Sequence, residues 1–327
     1  MAEPLNVINT KEMEKEDKLR KVRNNLKDVK NIFVVMSGKG GVGKSTVSAA
    51  LAAGLAARGN YVGLADCDMH GPSIPMIFGL EGAEPDVEDG MLVPVTPVPS
   101  LKLMSIAFLL PDRDQPVIWR GPAKMGAIKQ FFEDVAWGNL DYLIVDLPPG
   151  TGDEPLSVLQ QVPGIDGAFI VTIPQDVALA SVRKSLSFLN KMEVRPLGII
   201  DNMDGLVCPH CHETIDVFGS SGVEKASQDF SVPILAKLPL DPSFSKAEES
   251  GKIIEWMMAD SPWKKAFDDV LDEAERLGAE KKDRSRRADQ QKSMKRCRNG
   301  RNGTRISHEM PLVFLRCTYC RNRFRIL

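Results

Sequence analysis

The octapeptide GKGGVGKS, Gly38–Ser45, follows the β-branched run NIFVVMS at Asn31–Ser37 and opens an Ala- and Leu-rich segment that reaches about Arg58. It matches the pattern G-x-x-x-x-G-K-[S/T]. Between a buried strand and a helix, such glycines let backbone N–H groups curl around phosphate oxygens, and the helix N-terminus adds partial positive charge. A merely flexible glycine turn is disfavoured by this strand–loop–helix context. The sequence therefore predicts a phosphate-binding loop.

Each polar residue of this loop has an expected task. Lys44 is expected to reach the outer phosphates of a nucleotide, and the Ser45 hydroxyl to ligate Mg²⁺. The predicted nucleotide-binding residues of the loop are Gly38, Lys39, Gly40, Gly41, Val42, Gly43, Lys44, Ser45 and Thr46.

Several further apolar runs end in polar or glycine-rich turns, as buried parallel strands do. They are Tyr61–Asp68, Tyr142–Gly150, Gly167–Pro174, Arg195–Met203 and Val232–Pro242. Helical segments such as Ala178–Lys191 lie between them. This alternation predicts an α/β fold, a doubly wound, mostly parallel sheet with helices on both faces, whose ligands bind at the carboxyl ends of the strands.

Two of these strands end in aspartates that suit nucleotide hydrolysis. Asp146 ends YLIVD, where a carboxylate that holds the ligands of a magnesium ion is expected, and the following LPPGTGDE offers loop N–H groups near a γ-phosphate. Asp68, in DCDMHGPS, ends the second strand, where a carboxylate can orient the attacking water, and Asp66 lies beside it. A strand-end aspartate can also simply cap the next turn.

The composition limits the class of protein. The chain has 327 residues, 43% of them hydrophobic and 26% charged, as in ordinary soluble globular proteins. No apolar run approaches the roughly 18 residues that span a bilayer, and the N-terminus lacks the apolar block of a secretory signal. We therefore expect a cytoplasmic protein with no membrane span.

The charge distribution divides the chain. Residues 281–327 carry 15 basic and 3 acidic residues, a net charge of +12, against 27 basic and 41 acidic residues before them, a net charge of −14. We predict a charged, helical leader at residues 1–30, a P-loop domain at residues 31–280 and a basic, disordered tail at residues 281–327. A last packing helix is predicted at Ser261–Glu280.

The motif VCPHCHET places Cys208 and Cys211 three residues apart. Soft thiolates select iron–sulfur clusters or zinc, and both require four ligands, of which this pair supplies two. A structural zinc site that also uses His210 and His212, or a redox-active thiol pair, are the alternatives.

The remaining cysteines have other expected roles. A second CxxC pair, Cys317 and Cys320, lies in the basic tail and is a candidate to complete a four-thiolate zinc site with the first pair. Cys67 lies at a strand end between two aspartates, and packing is its expected role.

The second lysine of KGGVGKS, Lys39, resembles the signature residue of the deviant P-loop ATPases, which include MinD, ParA and the nitrogenase iron protein. This resemblance implies that Lys39 contacts nucleotide across a dimer interface, and hence a homodimer. It also implies that Asp68 is the switch aspartate. Asn202 and the turn Pro239–Asp241, with Pro239 and Asp241 as contacts, match positions that hold the adenine base in that group.

The phrases DMHGPSIP, IWRGPAK, DYLIVDLPPGTGDEPLSV, VTIPQDVAL and CPHCHETIDVFG together resemble the Mrp/ApbC (NBP-type) family over roughly residues 31–250. Members of that family are ATP-binding iron–sulfur cluster carriers. The resemblance implies a [4Fe-4S] cluster shared by Cys208 and Cys211 of two subunits, with ATP and Mg²⁺ as cofactors. It further implies slow ATP hydrolysis that gates transfer to apo iron–sulfur proteins, with an assembly scaffold as candidate donor.

A second function stays open at this stage. A MinD- or ParA-like positioning ATPase, with a structural zinc at the CxxC motif, requires a functional basic tail and tolerates loss of the cysteines, whereas a carrier requires the reverse. The tail itself has three interpretations: a membrane anchor, a nucleic-acid-binding segment, or an appendage without selected function. Nucleic acid is not an expected partner. A nitrogenase-type reductase fits poorly, because it takes one cysteine from each of two separated loops.

Overall fold

A computed structural model of the chain describes residues 19–69, 71–109, 121–208, 210–211, 213–218 and 222–299. The chain divides into two compact units, with the boundary between Asp272 and Glu273. The segment limits predicted at residues 30 and 280 stay a prediction.

Strands and helices alternate along most of the first unit. The strands are β1 (Val29–Ser37), β2 (Val62–Asp66), β3 (Val87–Glu88), β4 (Met91–Leu92), β5 (Val95–Val98), β6 (Leu101–Ser105), β7 (Leu140–Asp146), β8 (Gly167–Thr172), β9 (Pro196–Val207), β10 (Thr214–Ile215) and β11 (Ile234–Leu240). The helices are α1 (residues 19–25), α2 (Lys44–Ala57), α3 (Ile74–Ile77), α4 (Gly121–Glu133), α5 (Asp153–Gln161), α6 (Asp176–Lys191), α7 (Val223–Phe230), α8 (Pro242–Glu249), α9 (Ile253–Met258) and α10 (Pro262–Asn299).

The main sheet has the strand order β10-β9-β8-β1-β7-β2-β6-β5, and β11 also pairs with β9. The pairs from β9 through to β6 are parallel, as is β11 with β9. Only β5 and β10 join this sheet antiparallel within the described residues. The predicted doubly wound, mostly parallel sheet is confirmed, and it brings the ends of β1, β2 and β7 to one edge.

Helix α2 is packed into the core along nearly its whole length, because its many small residues allow close approach to its neighbours. At Gly54, an added Cβ atom would lie 2.8 Å from a methyl carbon of Leu271. This packing fixes the helix whose first turn follows the phosphate loop.

The sequence predicts a helical leader before residue 30, and residues 19–25 are helical. Val22 and Leu26 are only 2% and 5% exposed, so this segment contributes to the hydrophobic core. Residues 1–18 lie outside the described residues. Strand β1 begins at Val29, two residues earlier than predicted.

Helix α10 differs from the sequence prediction, which ends it at Glu280 and expects disorder afterwards. The helix continues to Asn299. The helix continues because residues 281–299 contain neither Gly nor Pro and are rich in Lys and Arg, which favour helix. The later part of the tail, residues 300–327, lies outside the described residues. Among those described, no helix combines the length and the apolar character needed to cross a bilayer.

Candidate functional site

The phosphate loop joins β1 to α2 and depends on its glycines. Gly41 and Gly43 have φ values of +76° and +81°, in the left-handed region that favours glycine. A Cβ atom on Gly43 would lie 2.2 Å from Nδ2 of Asn202, and one on Gly38 would lie 2.5 Å from the backbone oxygen of Ser181. The outer side of the loop is thus pressed against β9 and α6.

The other side of the loop has room for a ligand. A Cβ atom on Gly40 or Gly41 would meet none of the described residues within 4 Å. Open space beside a row of backbone N–H groups, at the N-terminus of a long helix, fits the phosphates of a nucleotide. The loop therefore accommodates the ligand that its sequence predicts.

Three side chains from α2 converge on the buried carboxylate of Asp146, at the end of β7. The Lys44 Nζ and Ser45 Oγ donate to Asp146 Oδ2 over 2.7 and 2.6 Å. Ser48, one turn further along, donates its hydroxyl to Asp146 Oδ1 over 2.6 Å. A serine hydroxyl backed by a carboxylate presents the oxygen donors that Mg²⁺ prefers, so these residues fit the predicted metal.

The end of β2 brings a second acidic pair to the same place. Lys44 Nζ lies 3.9 Å from Asp68 Oδ2. Asp66 is fully buried and accepts hydrogen bonds from the Ser105 hydroxyl, over 2.8 Å, and from the backbone N–H of Asp68, over 3.1 Å. Burial, with repulsion from Asp146, raises the pKa of Asp66 to about 7. Asp66 thus holds Asp68, while Asp68 faces Lys44.

Lys39 lies apart from this cluster. Its Nζ donates to Oε1 of Gln175, the residue before α6, over 2.9 Å. The structure thus brings Lys44, Asp68 and Asp146 together and leaves Lys39 on a different contact within its own chain.

The predicted adenine contacts lie beside the loop on neighbouring strands. Asn202, on β9, donates its Nδ2 to the backbone oxygen of Val42 over 3.0 Å and pairs in register with Leu238 of β11. Asp241 follows the end of β11 and caps α8 by accepting from the Ser243 backbone N–H over 2.8 Å. Pro239 lies in the same strand end. A role for these residues in base binding stays a prediction.

The CxxC motif lies at the tip of a β-hairpin. Strand β9 extends past the predicted Met203 to Val207, and β10 returns antiparallel to it. The backbone N–H of Cys208 donates to the Glu213 oxygen over 2.9 Å and closes the hairpin. Cys208 is half-buried and Cys211 exposed, and both thiols are free.

The hairpin tip favours a thiolate at Cys208. Backbone N–H groups of Cys211 and His210 hydrogen-bond to its sulfur and lower the pKa of Cys208. Among the described residues no group of three or more His, Cys, Asp or Glu side chains is arranged to hold a metal. His212, Cys317 and Cys320 lie outside the described residues. The described part of one chain thus presents two thiols without a closed cage.

The cysteine at the end of β2 behaves differently. Cys67 is fully buried, as the sequence predicts for a packing residue. Burial raises the pKa of its thiol well above the ordinary value.

Residues 28–275 match the family model described as ParA: NUBPL iron-transfer P-loop NTPase. The chain belongs to this family. The resemblance found in its sequence phrases is thereby confirmed, and membership makes the NUBPL-family chain a nucleotide-binding ATPase of the P-loop class.

Curated relatives of this NUBPL-family NTPase are similar over most of their length. An iron–sulfur cluster carrier protein of Methanocaldococcus jannaschii is 47% identical over 231 residues, which cover 71% of this chain and 80% of the relative. A cytosolic Fe-S cluster assembly factor, CFD1 of Kluyveromyces lactis, is 48% identical over 238 residues, covering 71% and 84%.

Solved structures agree with the fold. A nucleotide-binding protein of Archaeoglobus fulgidus, in complex with ADP, is 38% identical, covers 75% of this chain and 95% of its own, and has a TM-score of 0.66. The cell division ATPase MinD of Pyrococcus furiosus is 23% identical, covers 76% and 99%, and has a TM-score of 0.54, so it supports the fold alone.

Sequence patterns missed several polar contacts of the NUBPL-family site. Ser48 had a detectable signal, because it follows Lys44 by one helical turn and so lies on the same face. Gln175 and Ser105 had none, because each is far along the chain from its partner, and only the sheet order brings them to Lys39 and Asp66.

Proposed function

We propose that this chain is an ATP-dependent iron–sulfur cluster carrier whose cargo is a [4Fe-4S] cluster. Two copies hold the cluster through Cys208 and Cys211 of each and pass it to apo iron–sulfur proteins. Its relatives at 44–48% identity are named cluster carriers or assembly factors, which supports the cargo class.

The observation that carries the proposal is the thiol pair at the hairpin tip. Cys208 and Cys211 are both accessible, and the backbone N–H groups directed at Cys208 favour a thiolate, the form that binds metal. Each chain supplies two ligands where a cluster needs four. A second copy completes the set.

Apolar side chains beside the thiols support this dimer. Val207, Ile215 and Val217 are 43%, 49% and 43% exposed, on or next to the hairpin strands. A group of accessible apolar side chains around one element is typical of a surface that a protein partner covers. Two hairpins that meet about a two-fold axis bring identical cysteine pairs face to face.

A cluster held between two surfaces, rather than in a closed cage, is suited to release. The nucleotide site has the residues to regulate it: Lys44 and Ser45 for phosphates and Mg²⁺, Asp68 for the attacking water, and Lys39 for a nucleotide on the second copy. Slow hydrolysis then changes how the copies face each other and so gates transfer. An assembly scaffold is the proposed donor.

The test is the amount of iron, acid-labile sulfide and zinc per chain after anaerobic reconstitution. Four thiolates shared by two copies correspond to about two irons and two sulfides per chain, with a broad absorbance at about 400 nm. The Cys208→Ala, Cys211→Ala double variant is expected to lose the iron, the labile sulfide and the absorbance. Gel filtration of the loaded protein should show a dimer.

The matched control is the tail pair. A Cys317→Ala, Cys320→Ala variant has lost the same number of thiols and is expected to bind the cluster normally. One zinc per chain without labile sulfide, abolished by either double variant, would overturn the carrier proposal in favour of a zinc site within one chain.

A further inference from the structure

We propose that strand β9 couples nucleotide occupancy to the cysteine pair, with Asn202 as the positioning residue that contacts the phosphate loop. This inference rests on the proposed function, because it assigns a regulatory route to the same two sites. Cys208 follows Asn202 by six residues on one continuous segment, so the two sites share a strand.

The nucleotide end of this route is a tight contact. Asn202 is 5% exposed, and its Nδ2 donates to the Val42 backbone oxygen over 3.0 Å. Gly43, the next residue of the loop, leaves no room for a Cβ atom because Asn202 Nδ2 would lie 2.2 Å from it. A shift of the loop towards bound phosphates would break this hydrogen bond and open a gap beside Gly43, so the Asn202 side chain is expected to follow the loop.

The middle of the route is an irregular stretch. Met203 has a φ of +61° and Gly205 a φ of +78°, and the pairing between β9 and β11 shifts register between Leu238 and Leu240. Such a bulge bends a strand and changes the direction of the residues after it. The methyl end of Met203 also lies near the loop, at 3.8 Å from where a Cβ atom on Gly43 would be.

The cysteine end is held on two sides. Leu206 pairs with Ile215 of β10 and with Leu240 of β11, and Leu240 directly precedes the Asp241 cap of α8. The Cys208 N–H to Glu213 bond then closes the hairpin. A displacement at Asn202 is carried by paired backbone to the thiols rather than lost in a free loop.

Such coupling is reciprocal in binding free energy: a nucleotide that changes the affinity of the thiols for a cluster has its own affinity changed by the same factor when the cluster binds. The readout is the rate at which Cys208 and Cys211 react with an aromatic disulfide reagent, which requires no cluster. The experiment uses the full chain with Cys297→Ser, Cys317→Ser and Cys320→Ser substitutions, measured without nucleotide and with saturating Mg²⁺-ADP or a non-hydrolysable ATP analogue.

In this background, saturating nucleotide is expected to change the thiol reaction rate by about fivefold or more, because the rate follows the population of the conformation that exposes the thiols and coupling between sites shifts populations by at least about that factor. Asn202→Ala is expected to bring the ratio of the two rates close to one, even when nucleotide is raised to saturate the variant. The matched control is Asn60→Ala, which removes another hydrogen bond from an asparagine to a backbone oxygen: Asn60, just after the far end of α2, donates to the oxygen of Leu55 in its last turn. It should keep the parental ratio.

Met203→Gly provides a second test that spares the fold, since glycine accepts the positive φ and only the side-chain contact and stiffness are lost. It is expected to bring the ratio of the rates with and without nucleotide closer to one as well. An unchanged ratio in saturated Asn202→Ala, or no effect of nucleotide on the parent, overturns the coupling. Failure to bind iron and sulfide overturns the carrier proposal instead. The two failures are distinguishable because the thiol rates are measured without any cluster.

Discussion

Gly43 illustrates how a single residue combines two requirements. Its φ of +81° disfavours a side chain, and its neighbour Asn202 fills the space that a Cβ atom would need. Gly43→Ala is therefore expected to lower the free energy of unfolding by about 1–3 kcal/mol and to weaken nucleotide binding. Urea denaturation measures the first effect.

Gly40→Ala is the matched control in the same loop. Gly40 has no positive φ and none of the described residues within 4 Å of an added Cβ atom. Its free energy of unfolding should match the parent's within about 0.5 kcal/mol. Equal losses in both variants would show that the contact with Asn202 is not what makes Gly43 necessary.

Asp66 predicts a pH dependence. Burial raises its pKa from 3.8 to about 7, so between these values the folded chain holds a proton that the unfolded chain has released. Stability therefore falls as the pH rises through this window. Asp66→Asn is expected to flatten the dependence by up to about 1.4 kcal/mol per pH unit.

Urea denaturation of the nucleotide-free protein at a series of pH values provides this comparison. Ser105→Ala, which removes one hydrogen bond that lowers the pKa of Asp66, should keep the slope of the parent below about pH 7 and extend it to higher pH. A slope that Asp66→Asn leaves unchanged would mean that another group carries the titration.

At the scale of elements, the β-branched runs predicted the central strands because burial on both faces requires apolar residues throughout. Most of the shorter elements carried weaker patterns, since their form depends on what they pack against: β3–β6, β10, α3–α5 and α7–α9 were not predicted. The end of α10 was misplaced because a polar, charged composition suits both disorder and a solvated helix. The extension of β9 to Val207 was missed because Asp204 and Gly205 follow the predicted end of the strand and interrupt its apolar pattern.

The basic tail yields a prediction at this scale. If the chain is a carrier, deletion of residues 281–327 leaves cluster content and ATP turnover within about twofold of the parent, because no proposed ligand lies there. A positioning ATPase would lose function with its tail. The iron and sulfide content and the rate of phosphate release from ATP, measured on the truncated and full chains, distinguish these outcomes.

At the scale of the whole molecule, the sheet order supplies what local patterns cannot. Residues far apart in sequence, such as Lys44 and Asp146, meet because β1 and β7 are neighbours. The sequence predicted that strand-end carboxylates share one edge, but not which strands are adjacent. The contacts of Lys39 with Gln175 and of Asp66 with Ser105 follow from that order alone.

Lys39 carries the prediction that concerns the assembly. Within a single chain Lys39 contacts Gln175, and its proposed task is at the nucleotide of a second copy. Lys39→Ala is expected to lower ATP turnover by at least about tenfold while changing nucleotide affinity little. Turnover per chain in the parent should rise with protein concentration.

The control is Lys30→Ala, which removes another lysine from the same strand–loop segment, one paired with Asp141 away from the phosphate loop. It should retain parental turnover. Turnover that is independent of protein concentration, and insensitive to Lys39→Ala, would place catalysis within one copy.

Because Cys67 is buried, the rate at which a reagent labels its thiol reports how often the fold opens globally. A thiol sealed at the end of β2, with a raised pKa, meets a reagent in solution only when the central sheet itself comes apart. The hairpin thiols react at rates set by their exposure and thiolate fraction, whereas Cys67 reacts on the timescale of global opening. Chemical labelling of one protein sample can therefore time cargo-site exposure and complete unfolding side by side.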